Sequence, residues 1–291
     1  MLMNHAEPSP VVPGVRPTGV PGWVHARPRH ADSFRDFYRD LFGWEWVEVA
    51  GSLPGEQRFL ALSHRRPVAS ISSGPQAAMG IVNAISTRWS VCFISDDVRQ
   101  TMDRIVDAGG STVCQDSVAR DPRRLKAAEA RDPSGGLFAV LSVASVPENP
   151  APAGPSAVTW AELVTDDVNA STEFYEEVFG LGDMGLDGAN SAYQTLTKDD
   201  QSWAGVVDST QRCRGATNAT VSHWVPWFGV VNLVESVERA QGLGARVVLQ
   251  PIELMPGLAL CVMTGSEGEL FTLHEEDFGP GPDATAAAIE H

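Results

Sequence analysis

The sequence contains an internal repeat that spans most of its 291 residues. The segment W-V-H-A-R-P-R-H-A-D-S-F-R-D-F-Y-R-D-L-F-G-W begins at Trp23, and W-A-E-L-V-T-D-D-V-N-A-S-T-E-F-Y-E-E-V-F-G-L begins at Trp160. Identical residues of the two segments pair at a constant offset of 137: Trp23 with Trp160, Phe37 with Phe174, Tyr38 with Tyr175, Phe42 with Phe179, and Gly43 with Gly180. Self-similarity over this length indicates two homologous domains, each large enough to bury a core.

The domain boundary is predicted at a proline-rich stretch, S-V-P-E-N-P-A-P-A-G-P-S, from Ser145 to Ser156. Such a stretch continues neither a helix nor a central strand and is typical of a semi-rigid linker. The expected organisation follows from it: a flexible N-terminal tail (1–20), domain 1 (21–145), the linker (146–156), domain 2 (157–277) and a C-terminal tail (278–291).

Each repeat is divided again by its hydrophobic periodicity. A short alternating strand is followed by apolar residues at helical spacing, which Gly43 ends: Phe34, Phe37, Tyr38, Leu41 and Phe42. Short runs rich in Val, Ile, Leu and Phe follow, and a second strand leads through Asp96 and Asp97 into another helix. The chain therefore consists of four units of one strand, one helix and further strands, and its fold class is α+β.

These patterns together resemble a known superfamily. The motif F-Y-x-x-x-F-G follows a first strand, D-D-V opens a second helix that ends at A-G-G, and D-P-S-G-G-L-F-A-V closes the domain. Over residues 22 to 275 the chain resembles the glyoxalase, bleomycin-resistance and extradiol-dioxygenase superfamily, also called vicinal oxygen chelate proteins. It is most similar to a tandem-domain actinobacterial subgroup labelled glyoxalase-like or hydroxylase. The resemblance implies two βαβββ modules per domain, which form a curled mixed sheet with a central cup for the ligand.

The resemblance also implies where metal ligands would lie, and this chain departs from the pattern there. The first-strand positions hold Trp23 and Trp160, and the corresponding positions of the second modules hold Ser90 and Val225. The final-strand positions hold Ala139 and Thr272. Because divalent ions prefer several imidazole, carboxylate or other oxygen ligands, we expect neither the usual metal nor another cofactor.

A displaced metal site in domain 2 is the alternative. Residues two apart in a strand share a face of the sheet, so Glu162, His223 and His274 lie on the same faces as the expected positions. Two histidines and one carboxylate are the ligands of a non-haem iron facial triad. This hypothesis competes with a structural role for His223 and a solvated His274.

His25 and Glu162 are the candidate catalytic residues. They occupy equivalent places, two residues after the tryptophans. A carboxylate on the inner face of a tryptophan-lined cup is desolvated and suited to proton transfer, and an imidazole acts as a base with little adjustment. Residues expected to contact substrate line the same cups: Trp23, Trp160, Trp227, Ser90, Cys92, Ala139 and Thr272. The alternatives are that Glu162 is a structural ion-pair partner and that the tryptophans, Trp224 included, belong to the core.

Charge and cysteine usage exclude other classes of function. Residues 1 to 150 hold equal numbers of acidic and basic residues, so the whole net charge of −16 lies in the second half. Nucleic acid and anionic membranes are therefore unfavourable partners.

The four cysteines (Cys92, Cys114, Cys213 and Cys261) are widely spaced and predict reduced thiols. No apolar run approaches 18 residues and the chain opens without a secretory signal pattern, so we expect a cytoplasmic protein, either a monomer or a homodimer.

The leading functional hypothesis is a small-molecule tailoring or detoxifying enzyme of isomerase, lyase or cofactor-free hydroxylase type. It would act on an apolar or aromatic metabolite, with Glu162 or His25 as acid or base. The first alternative is a protein that sequesters an antibiotic or metabolite, with the acidic second half attracting a cationic ligand. The second alternative is a metal-dependent lyase or dioxygenase that uses the displaced site.

Overall fold

The computed structural model describes residues 17–50, 55–74, 89–115, 125–183, 192–212 and 222–275. These residues form two eight-stranded sheets with helices packed on one face of each. The α+β prediction and the division into two tandem domains of paired βαβββ modules are confirmed.

Domain 1 contains two modules joined side by side. Its first module is β1 (Pro21–Ala26), α1 (Ala31–Phe42), β2 (Glu45–Val49), β3 (Gln57–Ser63) and β4 (Arg66–Ser73); its second is β5 (Trp89–Ser95), α2 (Val98–Asp107), β6 (Ser111–Gln115), β7 (Ala127–Arg131) and β8 (Leu137–Ser142). The strand order is β2-β3-β4-β1-β5-β8-β7-β6. The central strands β1 and β5 are antiparallel, and each is parallel to the last strand of its own module.

Domain 2 repeats this order with one additional short helix. Its modules are β9 (Val158–Thr165), α3 (Val168–Phe179), β10 (Gly182–Asp183), β11 (Tyr193–Lys198), β12 (Gln201–Asp208) and α4 (Ser209–Arg212), then β13 (His223–Val230), α5 (Leu233–Gly242), β14 (Arg246–Met255), β15 (Leu258–Thr264) and β16 (Leu270–Glu275). The strand order is β10-β11-β12-β9-β13-β16-β15-β14. Equivalent strands therefore occupy equivalent places in the two sheets.

Local sequence signals set the helix ends. The side chains of Asp97, Asp167 and Asn232 accept hydrogen bonds from the backbone N–H three residues later, as N-cap residues do. Helices α1 and α3 end at Gly43 and Gly180, which have φ of 73° and 69°. Glycine adopts this left-handed conformation without a Cβ penalty, so the predicted end of α1 at Gly43 is confirmed.

The two large hydrophobic cores are shared between the domains. One core joins the first module of domain 1 to the second module of domain 2, where α1 packs near α5. The other joins the second module of domain 1 to the first module of domain 2, where α2 packs near α3. The sequence indicated a core for each domain, but each core draws residues from both domains because the helix-covered faces of the two sheets pack against each other.

A buried hydrogen-bond chain crosses the domain boundary in the first core. Trp89 Nε1 donates to the Tyr38 hydroxyl at 2.7 Å, and that hydroxyl donates to Glu269 Oε1 at 3.0 Å. Burial raises the pKa of Tyr38 well above 10, and the nearby Glu269 carboxyl raises it further. Burial also raises the pKa of Glu269 to about 7, although the Tyr38 hydroxyl and the Glu267 backbone N–H both donate to its carboxyl group.

The second core contains the equivalent chain with the domains exchanged. Trp224 Nε1 donates to the Tyr175 hydroxyl at 2.8 Å, and Tyr175 donates to Asp132 Oδ2 at 3.0 Å. Asp132 also accepts from the backbone N–H of Gly136, so it closes the D-P-S-G turn before β8. Both tyrosines are fully buried.

The buried carboxyl of Glu269 predicts a specific pH dependence of stability. Its folded-state pKa of about 7 lies above the unfolded value of 4.5, so the unfolded chain ionises first and stability falls as pH rises through this window. Burial lowers the pKa of His274 to about 4, so this group acts in the opposite direction and removes stability as pH falls below 6.5.

We expect Glu269→Gln to remove the loss of stability that ionisation of Glu269 causes as pH rises. From pH 5 to pH 8, the free energy of unfolding of the variant should therefore increase by about 2 kcal/mol relative to that of wild type. Urea denaturation at several pH values measures this difference, and Glu238→Gln on the exposed face of α5 is the control. Parallel pH profiles for wild type and Glu269→Gln would contradict the assignment.

The segments outside the two predicted domains also make contacts. Within the expected tail 1–20, Val20 is fully buried and the Thr18 carbonyl accepts from Lys198 Nζ, so its last residues pack against both domains. The linker is held at its middle and at its C-terminal end, because the Ala151 N–H donates to the Pro67 carbonyl and the Ser156 N–H donates to the Gly229 carbonyl. Residues 1–16 and 276–291 lie outside the described residues.

None of the described helices is long and apolar enough to cross a bilayer. The thiols of Cys92 and Cys261 are free and buried, as the sequence predicts. The remaining two cysteine side chains, at 114 and 213, lie outside the described part of the chain.

Candidate functional site

The concave face of each sheet, opposite the helices, forms the candidate site. In β1, Val24 and Ala26 belong to the helix-covered core, so Trp23 and His25 face the cup. Trp23 packs with Cys92 and Ala139 in a small separate cluster on the concave face. The indole of Trp23 therefore faces the cup and not the helices.

In the domain 1 cup, His25 is held by two serines. Its Nδ1 lies 2.8 Å from Ser70 Oγ and its Nε2 lies 3.0 Å from Ser72 Oγ. Trp23 Nε1 also donates to Ser70 Oγ at 2.8 Å. Burial lowers the pKa of His25 well below 6.5, and the charges of Arg27 and Arg58 lower it further. His25 is therefore a neutral imidazole with both nitrogens engaged, which disfavours it as a proton acceptor.

An ion pair also crosses the domain 1 cup. Arg27 directly follows β1, and its Nη1 lies 2.6 Å from Oε1 of Glu129 on β7, although two strands separate β1 from β7 in the sheet. Cys92 lies close to this ion pair. Burial of the thiol and the negative charge of Glu129 raise the pKa of Cys92 to about 12. The thiol is therefore protonated and unreactive at neutral pH. The predicted contact residue Ser90 lies next to His25 in register and is also buried.

The domain 2 cup is different because its central carboxylate lies among apolar side chains. Glu162 is only 2% exposed and pairs in register with Gly205 on β12 and Val225 on β13. A cluster of valines (Val164, Val207 and Val225) lies on the same face. Val164 and Val262 occupy the places that Arg27 and Glu129 hold in domain 1, so this cup lacks an equivalent ion pair at those places.

Two tryptophans lie beside Glu162. Trp160 pairs in register with Trp227, which pairs in turn with Thr272, so these three predicted contact residues form one row across the cup. Trp160 is half-buried, whereas Trp227 and Thr272 are buried. His274 follows Thr272 by two residues on β16, with its ring centroid 5.6 Å from that of Trp227 and its Nε2 hydrogen-bonded to Thr159 Oγ1. His274 is thus buried and not solvated. Trp224, by contrast, belongs to the second core, as one of the sequence alternatives held.

A residue that sequence reasoning missed also faces this cup. The Tyr193 ring occupies the space that a Cβ at Gly205 would fill. Tyr193 pairs with Val207 on β12, and its ring reaches diagonally over Gly205, the residue that pairs with Glu162. The signal in the sequence is the glycine inside a strand, which commonly marks close approach of another group.

The structure does not bring the displaced metal set together. His223 pairs with Val164 and His274 pairs with Gly229, and these positions on β13 are separated by six residues, about 20 Å along the strand. On the parallel strands β13 and β16, His223 lies four residues before Trp227, whereas His274 lies two residues after Thr272, the partner of Trp227, so the two histidines are displaced in opposite directions. Within the described ranges, no group of three or more His, Cys, Asp or Glu residues could hold a metal ion.

Comparisons with known proteins agree with the fold. The family described as bleomycin resistance protein-like N-terminal matches residues 157–182. The anthracycline biosynthesis protein DnrV of Streptomyces peucetius is 28% identical over 248 residues, which cover 82% of this chain and 87% of that protein.

Two solved structures share the fold. The 2,3-dioxygenase LapB from Pseudomonas sp. KL28 has a TM-score of 0.56 at 15% identity, with 91% of this chain and 96% of LapB covered. The Mn(II)-bound glyoxalase from Novosphingobium aromaticivorans has a TM-score of 0.57 at 13% identity, with 89% of this chain and 82% of the glyoxalase covered. The resemblance to the vicinal oxygen chelate superfamily is confirmed.

The residues present do not fit the metal that this superfamily implies. At the positions where the superfamily carries metal ligands, this chain has side chains that bind metal ions weakly or not at all: Trp23, Ser90, Ala139, Trp160, Val225 and Thr272. In domain 2 these positions surround Glu162 with indole, valine and threonine side chains. A single carboxylate does not supply the several ligands that a divalent ion requires.

Proposed function

We propose that this chain, which has the fold of the vicinal oxygen chelate superfamily, is a small-molecule tailoring or detoxifying enzyme whose active site is the domain 2 cup. One observation carries the proposal: Glu162 is a buried carboxylate at the centre of a concave face whose described residues beside it are mainly valine and aromatic side chains. Burial of an ionisable group costs free energy, and buried ionisable groups in clefts are concentrated at functional sites.

The proposed chemistry is proton transfer by Glu162. The carboxylate removes a proton from an acidic C–H or O–H of the substrate, which leaves a substrate anion and a neutral carboxyl group. Return of that proton to another atom gives isomerisation, and loss of a leaving group gives a lyase reaction. Addition of the anion to dioxygen gives a hydroperoxide, and its loss of water breaks the O–O bond, so that one oxygen atom stays on the oxidised carbon as a carbonyl or its enol and the other leaves as water without a cofactor. All three outcomes share the first step, so this step is the one to measure.

The proposed ligand is a flat aromatic metabolite. Trp160 and Trp227 lie side by side next to Glu162 and offer apolar rings for contact with such a ligand. The similarity to an anthracycline biosynthesis protein supports a fused-ring aromatic compound.

Binding of an anthracycline tests this proposal. We expect doxorubicin, whose fluorescence is quenched on aromatic contact, to bind the intact chain, and Trp160→Ala to weaken binding at least about tenfold. Trp46→Ala is the matched control, because Trp46 is also half-buried but packs on the helix-covered side of domain 1. Binding that is equally strong in Trp160→Ala would contradict the site, and failure of both doxorubicin and uncharged anthrone to bind would contradict the ligand class.

Sequestration of an aromatic compound is the second candidate function. Its support is the net charge of −16 carried by the second half of the chain, which would attract a cationic ligand. The two functions differ in a measurable way, since a sequestering protein would bind doxorubicin more tightly than neutral anthrone and would not accelerate proton transfer. Because an ion pair spans the domain 1 cup and His25 is held by two serines, we assign the reaction to domain 2.

A further inference from the structure

We propose that Tyr193 is a positioning residue for Glu162, with its phenol hydroxyl hydrogen-bonded to the carboxylate inside the domain 2 cup. The catalytic consequence of this pair rests on the proposed function, but the pair itself does not. It makes the site a carboxylate on β9 and a phenol that reaches it from β11 across the intervening strand β12.

The position of the Tyr193 ring carries the inference. A Cβ built at Gly205 would overlap the Tyr193 hydroxyl and lie 2.7 Å from Cζ and 3.1 Å from Cε2. The end of the phenol ring therefore lies directly on the backbone of β12 at Gly205. Any side chain at position 205 would exclude the ring from this place, so the glycine is what admits it.

Strand register brings the hydroxyl to Glu162. Gly205 and Glu162 are paired on the parallel strands β12 and β9. Neighbouring strands lie about 4.8 Å apart, and paired residues direct their side chains to the same face. A hydroxyl above Gly205 is consequently within hydrogen-bonding reach of a carboxylate that rises from the next strand. The half-buried ring also contacts the valine cluster, which fixes its orientation.

The corresponding positions of domain 1 hold a different polar group. Ser70 is the equivalent of Gly205, and it pairs with His25. Arg58 is the equivalent of Tyr193, because Arg58 pairs with Ser72 in the same way that Tyr193 pairs with Val207. The serine hydroxyl engages the imidazole from the strand itself. In domain 2 the hydroxyl belongs instead to Tyr193 on β11, one strand further from the central strand, and it reaches across Gly205. The two cups thus provide a partner for the central titratable group by different means.

Tyrosinate absorbance tests the pair without a substrate. The chain contains three tyrosines, and burial raises the pKa of both Tyr38 and Tyr175 well above 10. The first tyrosinate to form in a pH titration therefore reports Tyr193. We expect Glu162→Gln to lower the midpoint of this first step by about one unit, because it removes a negative charge beside the phenol. Tyr193→Phe should abolish the step and so confirm its assignment.

Alanine at position 205 provides a second, independent variant. Gly205→Ala should displace the ring from the carboxylate, so Glu162→Gln added to this variant should shift the midpoint by less than about 0.3 units. The displaced atoms are the far end of one side chain, so the fold should be retained. Gly242→Ala is the control, because a Cβ there meets nothing within 4 Å, and it should preserve the full shift.

The outcomes separate the pair from the proposed function. An unchanged first midpoint in Glu162→Gln would overturn the pair, whatever the protein does to a ligand. A shifted midpoint together with unaltered proton exchange from anthrone would keep the pair and overturn the proposed function. If both hold, Tyr193→Phe should lower the exchange rate about tenfold at saturating anthrone while leaving the doxorubicin Kd unchanged, as expected of a residue that orients the base.

Discussion

Replacing Glu162 by glutamine is expected to slow proton exchange from a bound carbon acid by about 10² to 10⁴ fold, the usual contribution of a positioned general base. Anthrone is a suitable probe, since it is a flat fused-ring ketone with an acidic methylene group. Exchange of its methylene protons for deuterium, followed by mass spectrometry in oxygen-free deuterium oxide, reports removal of the proton whatever reaction follows. Glutamine preserves the shape of the side chain and removes only the proton acceptor.

Two controls make the Glu162 result specific. Doxorubicin should bind Glu162→Gln with a Kd within a few-fold of wild type, which shows that the cup is intact. His25→Gln should leave exchange unchanged, because His25 lies in the other cup and is held by Ser70 and Ser72. Wild-type exchange no faster than the solution background would favour sequestration, and loss of exchange in His25→Gln would place the reaction in domain 1.

Truncating Phe228 to alanine is expected to lower the free energy of unfolding by about 3 to 5 kcal/mol. Phe228 lies on β13 of domain 2 and is fully buried, but most of its aromatic neighbours belong to domain 1. Its ring centroid lies 5.2 to 6.3 Å from those of five other residues: Tyr38, Phe42, Trp44, Trp89 and Phe271. The cavity would therefore open between the domains.

The equivalent residue of domain 1 provides a matched comparison. Phe93 packs against Tyr175, Phe179 and Trp224 of domain 2, at centroid distances of 4.5 to 5.4 Å. Phe93→Ala should therefore cost a similar amount, whereas Val234→Ala, at an exposed position on α5, should cost less than about 0.5 kcal/mol. Guanidinium denaturation measures all three variants. A loss below about 1 kcal/mol in both phenylalanine variants would show that the domains are stabilised independently.

Much of the architecture was predictable because local patterns determine it. The repeat, the apolar stripe of α1 and its end at Gly43 follow from helical periodicity and glycine conformation, which a single sequence displays. Strand periodicity also placed Trp23, Glu162 and Trp227 on the concave faces. These inferences concern which face a residue occupies, and that is a property of its own strand.

Contacts between distant strands were not predictable in the same way. Periodicity shows that Phe228 is buried, but not that it packs against the helix of the other domain. The two serines that hold His25 come from β4, some 45 residues along the chain. The separation of His223 from His274 depends on the parallel pairing of β13 with β16, because His223 precedes Trp227 and His274 follows its partner Thr272. Tyr193 is recognisable only once Gly205 is seen beside Glu162.

The exchange of core partners between the domains constrains how this protein arose. A half-length ancestor would have exposed its helices unless a second copy covered them, so it had to associate as a symmetric pair. Fusion of two copies made that association intramolecular and independent of concentration. After fusion the two concave faces no longer had to be identical, so the domain 1 cup with its ion pair and the domain 2 cup with Glu162 could diverge. The aromatic residues between the sheets still had to pack against each other.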